Sequence, residues 1–309
     1  VEKIEIKNSN IFISIHSKYL QTMIQQLFII IHCSTIAFSM ANLLYQLYKN
    51  RKYRYVPSQK WHILTEKNGY VEIIPKFAHL EDQMDALIAA PKFLNWINKF
   101  EPTQISLRSV TITDLDWFSA PNTPYNPLRL GFVKCSSEAY DFKTGKKIMS
   151  NISFIRGNSV AILILVKVFT SDKDYVLLCE QHRLPIGRKA MEIAAGMMDT
   201  DGNIISVVLK EVKEETGFDI KHANELQSLG SYFASPGGSD EAINLFAWNT
   251  AISEAEFREM QNKICGLAEE NEEIKLSFVE LEKFKTKTMY EIGDAKAEIA
   301  MSRYTAKNA

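Results

Sequence analysis

The segment from Gly196 to Phe218 constrains this chain more than any other. Its first half, Gly-Met-Met-Asp-Thr-Asp-Gly-Asn, is rich in turn formers, and its second half, Ile204 to Thr216, has no helix breaker. Ile205, Val208, Leu209 and Val212 fall at i, i+3, i+4 and i+7, which makes one apolar face. Glu211, Glu214 and Glu215 are spaced three and four residues apart, so their carboxylates share another face. Gly217 then supplies a residue free to take positive φ where the helix must stop. The apolar face can be buried while the acids look into a cleft.

Carboxylates stacked in this way repel one another and weaken an isolated helix. A hard divalent cation, Mg²⁺ or Mn²⁺, would turn that repulsion into a binding site. The spacing alone is equally compatible with a solvated charged face. The surrounding residues decide between these readings.

The segment resembles the Nudix box, in which a Gly, five residues, a Glu, seven residues and an Arg-Glu-apolar-x-Glu-Glu-x-Gly-apolar run follow in order. Gly196, Glu211, Val212, Glu214, Glu215, Gly217 and Phe218 stand at the matching offsets. Gly202 replaces the first Glu of the pattern, and Lys210 replaces its Arg. In that family those two positions brace the loop against the helix, whereas later glutamates hold the metal. The departures therefore bear on loop rigidity more than on metal binding. The fold implied is α/β (α+β), an α/β/α sandwich around a mixed sheet.

Bulk properties narrow the functional classes. A chain of 309 residues with 46% hydrophobic side chains can bury a substantial core. A formal net charge of −1 speaks against a broad basic surface for nucleic acid. The four cysteines, Cys33, Cys135, Cys179 and Cys265, form no CxxC pair, so a reducing compartment is expected and no zinc framework is implied.

Three regions follow from the pattern. Residues 1–56 contain an uncharged run from Tyr19 to Tyr48, followed at once by Lys49, Arg51, Lys52 and Arg54. That run is long enough for a membrane-spanning helix, but Gln25, Gln26, His32 and Asn42 fit a helix packed on a partner equally well. A mitochondrial inner membrane is compatible with it; the alternatives are the cytosol or an organelle matrix. Residues 57–155 read as a smaller α/β region, with strands at Val71–Pro75 and Ile105–Thr113 and an amphipathic helix from Leu80 to Phe100 interrupted at Pro91. Trp117 to Arg129 reads as a loop, and Phe132 to Ile155 as a hairpin around Gly145. Residues 156–309 carry the box. Val160–Val166 suits a strand buried on both faces, Tyr175–Gln181 a second strand, and Met191–Ala195 a short third. Strands at Leu229–Ala234 and Ala242–Trp248 precede helices near Glu254–Ile264, Phe278–Lys285 and Asp294–Tyr304.

A second loop completes the candidate site. Ser235-Pro-Gly237-Gly238-Ser-Asp240-Glu241 pairs two glycines, which allow close backbone approach, with two acids. By itself it is an ordinary hairpin loop. It resembles the corresponding loop of ADP-ribose and ADP-sugar pyrophosphatases, as do Glu180–Arg183 and Met191–Gly196 the segments preceding the box. The resemblance covers residues 90–305 and is closest to the plant-type ADP-sugar diphosphatases. It implies that Glu211 and Glu215 hold the metal with the Ala195 carbonyl, and that Glu214 assists. It further implies Glu241 as catalytic base or extra ligand, ahead of Asp240, and Arg183 as a phosphate clamp. Glu192, Gly196, Ser235, Gly237 and Gly238 would line the substrate site.

The implied activity is Mg²⁺-dependent hydrolysis of an ADP-sugar, ADP-ribose or ADP-glucose, to AMP and a sugar phosphate. One alternative is an accessory Nudix-fold subunit of a membrane complex; another is a UDP-sugar or dinucleotide diphosphatase. The partners implied are a nucleotide-sugar substrate and either a second copy of the chain or a larger assembly, with no nucleic acid.

Overall fold

The computed structural model describes residues 4–7, 10–13, 61–65, 67, 69–118, 129–149, 152–198, 203–267 and 272–309. The chain divides into two compact units, residues 1–57 with Phe77–Glu81, and Ser58–Lys76 with Asp82–Ala309. In the first, β1 (Ile4–Lys7) and β2 (Asn10–Ile13) pair antiparallel. The Tyr19–Tyr48 run, the basic cluster after it and Gly202 lie outside the described residues. Among the described residues no helix is long and apolar enough to cross a membrane.

The second unit holds two mixed sheets. The smaller one is built from β3 (Trp61–Thr65), β4 (Gly69–Pro75), β5 (Ile105–Phe118), β6 (Arg129–Asp141), β7 (Lys147–Ile148) and β8 (Ile152–Ile155). Its order is β3-β4-β5-β6-β7, with β8 also on β6, and only β4 and β5 run parallel. The expected helix divides at Pro91 into α1 (Met84–Ala89) and α2 (Pro91–Asn98). Proline at the first helical position costs no hydrogen bond, so it starts the second helix as it ends the first. Phe93, Trp96 and Ile97, at i, i+3 and i+4, form the buried face of α2. The hairpin expected around Gly145 is present, its second strand broken into β7 and β8.

The larger sheet comprises β9 (Ser159–Val168), β10 (Asp174–Arg183), β11 (Arg188–Glu192), β12 (Ala194–Met197), β13 (Leu226–Phe233), β14 (Ala242–Ile252), β15 (Ile264–Cys265) and β16 (Ile274–Glu280). Its order is β13-β14-β9-β10-β16-β15, with β11 on β10 and β12 on β9. Only the β9–β14 pair is parallel. The continuous apolar run of β9 is explained by the layers on either side. Val160, Ile162, Ile164 and Val166 face the box helix α3 (Ile204–Thr216) and α4 (Glu254–Met260), through Val208, Val212 and Phe257. Ala161, Leu163 and Leu165 face Phe284 and Ala297, Ala300 and Met301 of α5 (Ala295–Lys307). A period of two thus feeds two cores, and the sandwich is α/β/α.

Four details differ from the sequence reading, the first being that Trp117 and Phe118 belong to β5 and Arg129 to β6, where a loop was expected. Residues 274–280 form β16, whereas a helix was expected from Phe278. Alternation in Ile-Lys-Leu-Ser-Phe and pairing with β10 override the helical pattern, and the helical stretch begins at Leu281. Ile264 lies in β15 beyond the end of α4. Arg183 is the last residue of β10, paired with Arg188, and does not lie beyond the strand.

Candidate active site

Helix α3 is built as its sequence dictates. Asn203 caps it by accepting from the Ile205 N–H at 3.0 Å, and Gly217 closes it at φ 78°. Val208 and Val212 are fully buried, with Ile205 and Leu209 packed beside them. This docking turns the acids toward β12. Glu215 is itself buried, at 3% exposure, and accepts from the Ala195 N–H at 2.9 Å. Glu211 lies against Gly196, where a Cβ would overlap its carboxyl group. Only glycine leaves room for that side chain.

Burial pushes the Glu215 carboxyl up to about 8, and the neighbouring Glu211 and Glu272 charges add to it, against the Ala195 N–H and Arg183. Glu272, just before β16, was not singled out in the sequence. Nothing in its local pattern marks it; tertiary hydrogen bonds tie its surroundings to the helix end, with Glu272 N–H bonded to the Leu267 carbonyl and Gly266 N–H to the Glu214 carbonyl. Glu214 departs from its neighbours. Its carboxylate is half-buried and 3.3 Å from Lys210 Nζ, one turn back on the helix.

The glycine loop is anchored on the smaller sheet. Its backbone is bridged to β8, with Phe154 N–H donating to the Gly238 carbonyl at 2.7 Å. Gly238 and Ser239 N–H groups turn back onto the Ser235 carbonyl at 3.0 and 2.9 Å. Glu241 Oε1 accepts from Ser159 Oγ at 3.0 Å, and its Oε2 is 3.4 Å from Arg156 Nη1. Ser159 pairs with Met197, next to Gly196. The loop therefore delivers Glu241 one strand position from the Gly196–Glu211 contact.

Asp240 is otherwise engaged. Its Oδ1 accepts from the Arg156 and Gly157 N–H groups at 2.8 and 3.0 Å, and its Oδ2 is 3.3 Å from Lys99 Nζ. With only 6% of its side chain exposed, Asp240 acts as a clamp on the turn before β9. Arg156 is the second residue that the sequence reading missed. Its Nε meets Met197 Sδ at 3.3 Å, which holds the guanidinium beside Glu241.

Arg183 and Glu192 come together, since β10 and β11 form a tight antiparallel pair. The Arg183 fork grips both Glu192 oxygens, at 3.1 and 2.9 Å, and Lys296 Nζ reaches the same carboxylate at 3.3 Å. Burial opposes the charged form of Glu192, yet these cations hold it below the usual carboxylate value. Arg183 thus braces Glu192 in this structure, and its charge still reaches Glu215. Ser235 and Gly237 are exposed at the loop tip and Gly238 is half-buried.

Among the described residues no group of three His, Cys, Asp or Glu is assembled as a metal cage. The donor set nevertheless fits a hard cation. Glu211 and Glu215 supply carboxylate oxygens one turn apart, and the proton affinity of Glu215 is raised by burial first and by the Glu211 and Glu272 charges after it. Glycine at 196 makes the space in which Glu211 sits.

The NUDIX domain model matches residues 159–298. Nudix hydrolase 14 of Arabidopsis thaliana, a chloroplastic protein, is 31% identical over 229 residues, covering 69% of each chain. This chain belongs to the Nudix hydrolase family. It is accordingly an enzyme of that family, whose members generally use divalent metal ions. The ADP-ribose pyrophosphatase of Haemophilus influenzae is 32% identical over 136 residues, 41% of this chain and 57% of that one. That of Bacillus subtilis is 29% identical over 124 residues, 40% of this chain and 65% of that one. The chain therefore spans less than two thirds of these two pyrophosphatases.

Proposed function

We propose that this Nudix hydrolase splits the diphosphate of an ADP-sugar, ADP-ribose or ADP-glucose, into AMP and a sugar phosphate. The observation that carries this reading is the pair of contacts on β12: Glu211 lies against Gly196, and Glu241 is held by Ser159, the strand partner of Met197. Pyrophosphatases acting on ADP-ribose are among the relatives, which supports the choice of substrate.

Glu211 and Glu215, with the Ala195 carbonyl, would hold Mg²⁺ or Mn²⁺. Such an ion, when bound, neutralises phosphate oxygens and lowers the proton affinity of a water. Glu241 takes the proton as the water oxygen forms its bond to phosphorus and the bridging P–O bond breaks. The electron pair of that bond leaves on the departing phosphate. Arg156, and Arg183 if it exchanges Glu192 for substrate, present forks suited to the diphosphate oxygens. Glu214 flanks the site and assists by its charge, and Glu192 positions Arg183. The Ser235–Gly238 backbone lines the entrance.

The test is incubation of the purified protein with ADP-ribose, ADP-glucose, a UDP-sugar and a dinucleoside polyphosphate, with Mg²⁺ or Mn²⁺, followed by product analysis. AMP with a sugar phosphate is the expected result. Turnover of the UDP-sugar alone, or of none of the four, would sink the assignment.

A further inference from the structure

A closed set of charges lies behind Arg183, at the start of helix α5, and the chemistry assigned so far uses only its outer half. Lys296 Nζ is 3.3 Å from Glu192 Oε2 and 2.8 Å from Asp294 Oδ1, so it bridges two acids. Asp294 caps α5 by accepting from the Lys296 N–H at 3.1 Å, and its other oxygen accepts from the Ile193 N–H at 3.1 Å. Ile193 joins β11, which ends at Glu192, to β12. One carboxylate thus fixes both the backbone beside Glu192 and the root of Lys296. Ala297, Ala300 and Met301 bury the turns of α5 that follow, so the lysine is carried on a packed element.

The members of the set differ in their freedom. The side chain of Arg183, at the end of β10, is 39% exposed, whereas that of Glu192 is 13% exposed and those of Lys296 and Asp294 are also largely buried. Arg183 can turn toward a ligand, and Glu192 cannot follow it. Without Lys296, that movement would leave a mostly buried carboxylate with no cation, which is far more costly than the intact pair. With Lys296 in place, Glu192 keeps a cation at 3.3 Å. Asp294 needs the lysine less, because it retains two N–H donors.

We propose that Lys296 is a positioning residue for the diphosphate, acting through Glu192: it stays on that carboxylate when Arg183 leaves it for the substrate. The inference rests on the diphosphatase reading for its ligand. Lys296 does not touch the substrate; it sets how readily Arg183 is released.

Inorganic diphosphate with Mg²⁺ is the probe, its affinity measured by calorimetry on the full chain. Lys296→Met keeps the length of the side chain and removes its charge. It should weaken diphosphate binding about tenfold, the scale of coupling within one charge network. In hydrolysis the same variant should raise the KM for ADP-ribose with little change in kcat, because a clamp holds ground and transition states alike. In a Glu192→Gln background Lys296→Met should have no further effect, since a neutral amide no longer needs the lysine. A purely structural role would lower the melting temperature and leave diphosphate affinity unchanged, or would weaken it equally in both backgrounds. Either result would overturn the proposal. Should Lys296→Met not fold, Glu192→Gln alone decides: with Arg183 released it should bind diphosphate at least as tightly as wild type, and weaker binding would overturn the proposal. If no nucleotide sugar is hydrolysed but diphosphate shows this coupling, the role of Lys296 stands and the diphosphatase reading falls. If ADP-ribose is hydrolysed with a KM that Lys296→Met does not change, the reverse holds.

Discussion

The acids of α3 and those of the glycine loop are held in opposite ways. On the helix, Glu211 and Glu215 are packed against β12, and burial and two like charges outweigh the Ala195 N–H and Arg183 at Glu215. On the loop, each acid is met by donors of the protein itself: Asp240 by two N–H groups and Lys99, Glu241 by Ser159 and Arg156. On the helix side Glu215 is buried beside two like charges, and on the loop side each acid is met directly by donors. A site that gathers a cation gains from the first arrangement, because a bound ion would offset the cost of burying carboxylates side by side. A group that must stand at a set place and accept a proton gains from the second.

The largest expected effects separate the two sides by readout. Glu211→Gln should weaken Mn²⁺ binding by more than the 10–100-fold typical of residues that merely support metal ligands. Glu241→Gln should instead lower kcat by on the order of 10²–10⁴-fold, with metal affinity much less affected. If Glu241→Gln abolishes Mn²⁺ binding as thoroughly as Glu211→Gln, the division of labour between helix and loop is wrong.

Next in size is a pH effect on stability. Glu215 binds a proton up to about pH 8 in the folded chain, whereas the unfolded carboxyl releases it near 4.5. Between those values the folded state holds more protons, so stability should fall as pH rises through that window and level off above it. The loss is on the order of a few kcal/mol at most. Thermal melts in chelator from pH 4.5 to 8.5 should show this slope, and Glu215→Gln should flatten it. A slope of the opposite sign would mean that Glu215 is ionised at little cost.

The clamp sharpens the loop side. Asp240→Asn keeps an acceptor for the Arg156 and Gly157 N–H groups but can turn its amide toward Lys99. A loss of about 1–3 kcal/mol in stability is expected. Turnover should drop about tenfold as Glu241 loosens, and the Lys99→Met change should have little further effect in that background. Independent, additive losses would show that Lys99 and Asp240 are not one unit. Smallest of all is the Lys210–Glu214 pair: Lys210 is exposed, so Lys210→Ala should shift stability by no more than about 0.5 kcal/mol, as for helical i, i+4 pairs. A larger loss would mean that Lys210 braces the preceding loop.

The sequence by itself determined the helix at the centre of the site, its stop at Gly217, and the doubly buried strand behind it. Each of these depends on residues within about one or two turns, where hydrophobic period and capping chemistry act directly. It also carried the family, through spacing that a short helix and one loop must keep. The tertiary structure decided which acids share a site. Glu214 lies on the same stretch of helix yet faces Lys210, because packing against β12 leaves space for Glu211 at Gly196 and for Glu215 at Ala195. Arg156, Lys99 and Glu272 join the site from positions that no local pattern links to the box. Strand pairing and loop closure bring them there, and those depend on the register of the whole sheet. Arg183 was legible as a cation near the site, but its grip on Glu192 follows from the β10–β11 turn and was visible only once those strands were paired.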